Sequence, residues 1–290
     1  MKVFFILLMV MGACFALDPD AGPPSHGTSN PLVPETDAWT ITLTSVNDVS
    51  MSWGTSLRGC DYVDNYGFLF VTDYTTNEIY MVDPSTGIAV DTLACPAQVP
   101  QVLGVCQYSP GTENFVWIND WQYCMDVYEY STLSGWSFAF GNPAIAEPRG
   151  MDMDPSLNIW EIDASSHILY VFDTSGSVYH SWTLTELPSD YPCGCSVFPL
   201  GSDLGVVIGG YAYPDFYFYC FDGSNLEYMG SAPVPQSIDK SYGVSYSYDT
   251  DSFYWVYTDP GTNFNLCEFT GEFISTALEQ DTWGAIKAGF

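Results

Sequence analysis

Short apolar runs recur along the chain, and most of them stop at an acid. Phe68-Leu69-Phe70-Val71-Thr72-Asp73 is followed by Phe115-Val116-Trp117-Ile118-Asn119-Asp120, by Ile159-Trp160-Glu161-Ile162-Asp163 and by Phe253-Tyr254-Trp255-Val256-Tyr257-Thr258-Asp259. One member of the series, Val206-Val207-Ile208-Gly209-Gly210, ends without the acid. Continuous apolar runs of this length predict strands covered on both faces. Ahead of each run stands a strand opened by glycine, at Gly59, Gly104, Gly150, Gly194 and Gly243, with intervals of 45, 46, 44 and 49 residues. Behind it a polar turn leads to a third strand and a hairpin, as in residues 79–87 and 169–176, where Asp-Pro and Ser-Gly supply the turn chemistry. The fourth strand, such as 177–184, is more polar, as an outer edge should be. A four-stranded repeat near this length is the period of a propeller blade.

Residues 68–87 and 149–176 resemble blades of the NHL, YncE and streptogramin-lyase-like propellers, which share a strand ending in V-x-D and a following I-Y-x-φ-D-x-x-T-G segment. The likeness covers residues 58–276 and implies an all-β propeller. It is unspecific for activity, because such blades host lyases, lactonases, cyclotransferases and pure binding proteins. Five four-stranded blades are expected, with six the arithmetic alternative, since residues 17–290 divided by the mean interval come close to six units. Strands within 38–54, around Trp39-Thr40-Ile41-Thr42-Leu43-Thr44 and Val49-Ser50-Met51-Ser52-Trp53, are expected to close the ring by pairing with the last blade, which removes a free edge.

The ends read differently. Lys2 precedes an apolar run over 3–11 and small residues to Ala16, the form of a secretory signal cleaved after Ala16. Met11-Gly12-Ala13-Cys14 also looks like a degenerate lipobox, in which Cys14 would carry a lipid anchor. Residues 17–37, with five prolines, form a linker, which leaves 38–276 for the propeller and 277–290 for a tail. Within the tail, Trp283 to Phe290 is similar to short W-G-x-I-K endings of some secreted bacterial proteins; a last strand packing Trp283 and Phe290 is the other reading. No stretch reaches the ~18 apolar residues of a membrane span. These features place the protein outside the cytoplasm: secreted, periplasmic or at the cell surface.

Composition narrows the partners. Thirty-five acids against five bases give a net charge of −30, which excludes the basic footprint of a nucleic-acid binder and favours a soluble monomer. Nine cysteines in an exported chain, eight without Cys14, suggest one or two disulfides, the rest acting as small apolar residues. Cys193-Gly194-Cys195 lacks the second pair that a zinc site needs. No cofactor is expected. Calcium is the one cation the abundant oxygen ligands admit, although Asp249-Thr250-Asp251 is only a fragment of a binding loop.

In a propeller the turns after the second strands and the starts of the first strands share one face around the channel. That brings together Asp73, Asp120, Asp163 and Asp259, with Tyr74, Trp121, Tyr211 and Tyr213 just beyond. Arg58 and Arg149 each stand immediately before a unit-opening glycine, so both guanidiniums fall at the channel mouth. Two roles are open to them: pairing with a strand-end Asp, or capture of an acidic ligand group. The strand-end aspartates are expected to hold their own turns. Glu161 occupies a position filled by Val71, Ile118 and Tyr257 in other units, and a carboxylate there is a candidate acid, base or metal ligand, or a buried partner of Arg149. Loss of the acid at Gly209-Gly210 would open a cleft beside Tyr211, Tyr213, Phe216 and Tyr217.

Catalytic signatures are sparse. The streptogramin-lyase resemblance implies a channel histidine, but His26 lies in the linker, His167 in a turn and His180 in an outer strand. The expected function is therefore non-catalytic binding of a ligand, glycan or protein at the channel face. The alternative is a lactonase, lyase or glutaminyl-cyclotransferase working through channel carboxylates, with or without a divalent cation.

Overall fold

The computed structural model describes residues 39–275 except 65, 100, 109–113, 121–125 and 142–144. The expected signal, linker and tail, Cys14, Trp121 and Cys124 lie outside the described residues. The first strand, β1 (Trp39–Ser50), belongs to the last blade. Blade 1 is β2 (Leu57–Val63), β3 (Phe68–Asp73), β4 (Glu78–Asp83) and β5 (Ile88–Ala94). Blade 2 is β6 (Val102–Tyr108), β7 (Phe115–Asp120), β8 (Asp126–Ser131) and β9 (Gly135–Gly141). Blade 3 is β10 (Pro148–Met153), β11 (Ile159–Asp163), β12 (Ile168–Phe172) and β13 (Val178–Thr183). Blade 4 is β14 (Pro192–Leu200), β15 (Asp203–Gly210), β16 (Asp215–Phe221) and β17 (Leu226–Pro233). Blade 5 is β18 (Lys240–Ser247), β19 (Ser252–Thr258) and β20 (Phe264–Ser275), with β1 as its outermost strand.

The protein is thus a five-bladed β-propeller, all antiparallel within blades, and β1 closes the ring by pairing with β20 from Trp39↔Ser275 to Ser50↔Asn265. No helix among the described residues is long and apolar enough to cross a membrane. Five apolar clusters stand between neighbouring blades, one at each boundary. Between blades 4 and 5, for example, Val207, Phe216 and Phe218 meet Val244, Phe253, Trp255 and Phe269. Between blades 1 and 2, Val63, Phe70 and Ile79 meet Val105, Val116 and Ile118. Second strands buried on both sides in this way explain why their sequences are apolar without alternation.

The innermost strands β2, β6, β10, β14 and β18 touch one another in a closed cycle around the axis. Each carries a register irregularity at its opening glycine, as between Leu57 and Cys60 or Val102 and Val105. The glycines are there because the backbones meet. A Cβ on Gly59 would overlap the carbonyl oxygen of Leu103, and one on Gly104 that of Arg149. On Gly150 it would stand 2.7 Å from Cys193 O, on Gly194 2.6 Å from Tyr242 O, and on Gly243 2.8 Å from Arg58 O. The five contacts form a complete circuit of the ring, which only glycine permits.

Two residues after each glycine lies an axial layer of Asp61, Cys106, Asp152, Ser196 and Ser245. Four of the five accept a backbone N–H from the next inner strand. Asp152 takes Val197 N–H at 2.7 Å, Ser196 takes Tyr246 N–H at 2.9 Å, Ser245 takes Tyr62 N–H at 2.8 Å and Asp61 takes that of Gln107. The serines then donate to the aspartates, Ser245 to Asp61 at 3.0 Å and Ser196 to Asp152 at 2.7 Å. Polar residues on the axis therefore fasten blade to blade.

Candidate functional site

A cavity of about 310 Å3 opens at the end of the axis where the inner strands begin. The five residues that precede the opening glycines, Arg58, Leu103, Arg149, Cys193 and Tyr242, all line it, together with Gly59. Tyr74, from the turn after β3, Tyr191, just before β14, and Tyr211, just after β15, complete the described wall. No aspartate or glutamate is among these lining residues.

The tyrosines position cations. The Arg58 guanidinium lies 4.6 Å from the ring centre of Tyr242 and 5.5 Å from that of Tyr74, and it donates to the carbonyl of Leu57 at 2.7 Å. Arg149 lies 5.9 Å from the ring centre of Tyr191 and 3.8 Å from the Glu147 carboxylate. Lys240 sits 4.9 Å from the ring centre of Tyr211, with Asp239 at 4.0 Å. Each contact sets a cation on the negative face of an aromatic ring. Burial lowers the Arg149 pKa, opposed by Cys193 and Glu147. Burial pushes the Cys193 thiol up to about 11, although Arg149 and Arg58 pull the other way, so a thiol rather than a thiolate faces the cavity at neutral pH.

Of the residues expected at this face, Arg58, Arg149, Tyr74 and Tyr211 come together. Asp73 does not line the cavity. Burial would raise its pKa, but bonds from Thr55, Ser56 and Thr75 outweigh it and hold it below the usual carboxylate range. Thr55 N–H reaches it at 2.9 Å and Thr75 N–H at 2.8 Å. Asp163 likewise takes Ala146 N–H at 3.1 Å and Ser165 N–H at 2.9 Å, and those bonds win over burial. Asp120 accepts Gln101 N–H at 2.9 Å. The carboxylates of Asp73 and Asp163 hold turns, and Arg149 forms its ion pair with Glu147 rather than with a strand-end aspartate.

Two expected site residues are elsewhere. Asp259 is not the blade-5 counterpart of Asp73: Leu57, two residues before Gly59, pairs with Asp73, and Ser241, two before Gly243, pairs with Tyr257. Asp259 lies beyond β19 and caps its own turn through Asn263 N–H at 2.9 Å. Tyr213 is buried and donates to the carbonyls of Asp190 at 2.8 Å and Pro188 at 3.1 Å. Its ring fills the space a side chain on Gly210 would need, and Phe216 does the same at Gly209. The supposed cleft on that side is therefore packed.

Glu161 is 1% exposed and faces the blade 2–3 boundary. Its register equivalents are Val71, Ile118, Ile208 and Trp255, so the blade-5 counterpart is Trp255 rather than Tyr257. Burial raises its pKa to about 7, against a lowering bond from Asn119. Its partner is the Asn119 amide at 2.6 Å, not the Arg149 guanidinium. The same amide nitrogen donates to Arg149 O at 2.8 Å, so Glu161 connects with the cavity through a single side chain and is not part of its lining.

Among the described residues no group of three or more His, Cys, Asp or Glu is placed to hold a metal ion. The seven described cysteines are free, so the expected one or two disulfides do not form among them; Cys60, Cys106, Cys195 and Cys267 are buried as small apolar residues. Four lining residues, Leu103, Tyr191, Cys193 and Tyr242, are not among those the sequence places at this face. The usable signal was position, since Cys193 and Tyr242 precede Gly194 and Gly243 as the arginines precede Gly59 and Gly150.

No protein-family model and no curated sequence matches the chain. Solved structures do. The glutaminyl cyclase of Myxococcus xanthus superposes with a TM-score of 0.56 at 9% identity, covering 80% of this chain and 97% of that one. A PQQ-bound aldose sugar dehydrogenase from Streptomyces coelicolor gives 0.54 at 10% identity, covering 80% and 99%. A luciferin-regenerating enzyme gives 0.52 at 10% identity, covering 80% and 95%. At such identities the likeness is one of fold alone, that of a β-propeller.

Proposed function

We propose that this chain is an exported binding propeller that takes a small ligand, free or displayed on a glycan or protein partner, in the cavity at its channel mouth and performs no chemistry on it. The observation that carries the reading is the origin of the wall: one residue from the same repeat position of every blade lines a single concave site. At about 310 Å3 the cavity is at the small end of ligand sites, suited to a group of sugar-ring or amino-acid size. Its walls supply guanidinium and phenol donors. The turn-holding carboxylates and Glu161, on which a lactonase, lyase or cyclotransferase reading would depend, stand outside the lining.

The test is a thermal-shift screen of saccharides and small acids on the full chain and on a Cys193→Trp variant that fills the cavity. A compound that raises the melting temperature of the parent and not of the variant supports the reading. Compounds that act equally on both, or turnover of a bound compound to product, would overturn it.

A further inference from the structure

Of the five basic residues in the sequence, three are described, and all three stand at this mouth of a chain whose net charge is −30. Their surroundings divide them. Arg149 has Glu147 as a carboxylate partner and Lys240 has Asp239. Arg58 has no carboxylate within ion-pairing distance among the described residues; a carbonyl and two aromatic faces hold it. With 35 acids in the chain, a cavity wall with none among its described residues, around an uncompensated guanidinium, is an unusual distribution. Each of the four lining tyrosines already carries one of the chain's own cations, which leaves charge and hydrogen bonding as the main handles on a ligand.

Resting on the mouth as the binding site, we infer that Arg58 anchors the carboxylate of a small monoanionic ligand, and that Tyr74 and Tyr242 are positioning residues that aim its planar fork into the cavity. A guanidinium meets a carboxylate through two parallel N–H···O bonds, a match that lysine does not reproduce. One uncompensated charge suits a monoanion better than a dianionic phosphate. The carboxylate could belong to an acidic sugar or to an amino-acid-like molecule; the recognition chemistry is the same.

Isothermal titration of the full chain with D-glucuronate, pyroglutamate, D-glucose and D-glucose 6-phosphate tests this at pH 7 and low salt. One or both carboxylates should bind at least ten-fold more tightly than glucose and more tightly than the phosphate, with affinity falling as salt is added. Arg58→Gln should weaken that binding at least ten-fold, and Arg58→Lys should restore only part of it. Glu147→Gln, which relieves Arg149 of its partner, should strengthen it several-fold. Equal binding of glucose and the carboxylates, no binding of either carboxylate, or full affinity in Arg58→Gln overturns the inference. If those compounds still bind the parent and not Cys193→Trp, the mouth remains the site and only the anion assignment fails. Should Arg58→Gln not fold, Arg58→Lys with its salt dependence decides the matter, since a role for charge alone predicts unchanged affinity.

Discussion

Asn119 donates its side-chain nitrogen both to Glu161 Oε1 at 2.6 Å and to the carbonyl oxygen of Arg149 at 2.8 Å, while its own oxygen accepts Gly104 N–H at 2.6 Å. One amide thus fastens the cavity floor of blade 2 to blade 3 and holds a buried carboxyl whose second oxygen has no hydrogen-bond partner. Glu161→Gln keeps an acceptor for Asn119 and removes the charge. Glu161 is raised from 4.5 to about 7, so its contribution is intact below about pH 4.5 and lost as pH rises to 7. The variant should therefore be more stable than the parent at pH 8, by up to about 3 kcal/mol, and close to it at pH 4.5. Urea melts at the two pH values read the difference.

Asp152, raised by burial to about 7, adds to the same trend, and Asp61, raised by burial and by its neighbour Asp152, adds further. In the opposite direction, Asp73 and Asp163 are held low, so their contributions are present above about pH 4 and lost as pH falls through their folded values. The melting temperature should peak in mildly acidic solution, near pH 4 to 5, and decline toward pH 7. Asp152→Asn should flatten the neutral limb and leave the acid limb unchanged. A parent profile that rises steadily to pH 8 would show that the axial carboxyls ionise freely.

Asp73→Ala removes the acceptor for four backbone N–H groups, of Thr55, Ser56, Thr75 and Thr76, and for the Thr55 hydroxyl around the blade 1 turn. These donors are only partly buried, so each lost bond costs about 0.5–1.5 kcal/mol, and a total loss of roughly 2–4 kcal/mol is expected. Chemical denaturation measures it, and Asp73→Asn should retain part of the stability. Ligand binding at the mouth should survive at temperatures where the variant is folded, which separates a turn residue from a binding one.

Gly104→Ala places a methyl against Arg149 O and 2.8 Å from the Asn119 amide nitrogen. Neither can retreat without breaking the contact between β6 and β10. The substitution should cost several kcal/mol, at the severe end for a single methyl. By contrast, Ala at Gly141, where the nearest neighbour is the Asp126 carboxylate at 3.2 Å on an outer strand, should cost much less. Comparable melting temperatures for the two variants would contradict the backbone circuit described above.

Much of the architecture was readable from periodicity, because the features that make a blade are local: an apolar second strand, an Asp or Gly turn, a glycine every 44 to 49 residues. The mouth was readable through the same rhythm, and Arg58 and Arg149 were found by it. What periodicity could not supply was register. Asp259 looks like Asp73 as text, yet the strand β19 has already ended at Thr258, so the acid falls in the turn. Nor could it supply partners for missing side chains. Tyr213 was grouped with the open face because it follows two glycines, and those glycines are what let its ring turn inward. The cation–ring pairs were equally hidden, since Tyr191 and Tyr242 reach the arginines only across a boundary between blades.

Trp39 and Ser275 sit opposite one another at the open end of the β1–β20 pairing. Whatever is joined to either end of the described chain must consequently leave from the same spot on the rim of blade 5. It also means that tension applied between those two residues would act on the hydrogen bonds of this ladder one after another, in the manner of a zip, instead of loading them together. A tether pulling on both of those ends would therefore load the outermost ladder of blade 5 before any strand pair of the other four blades.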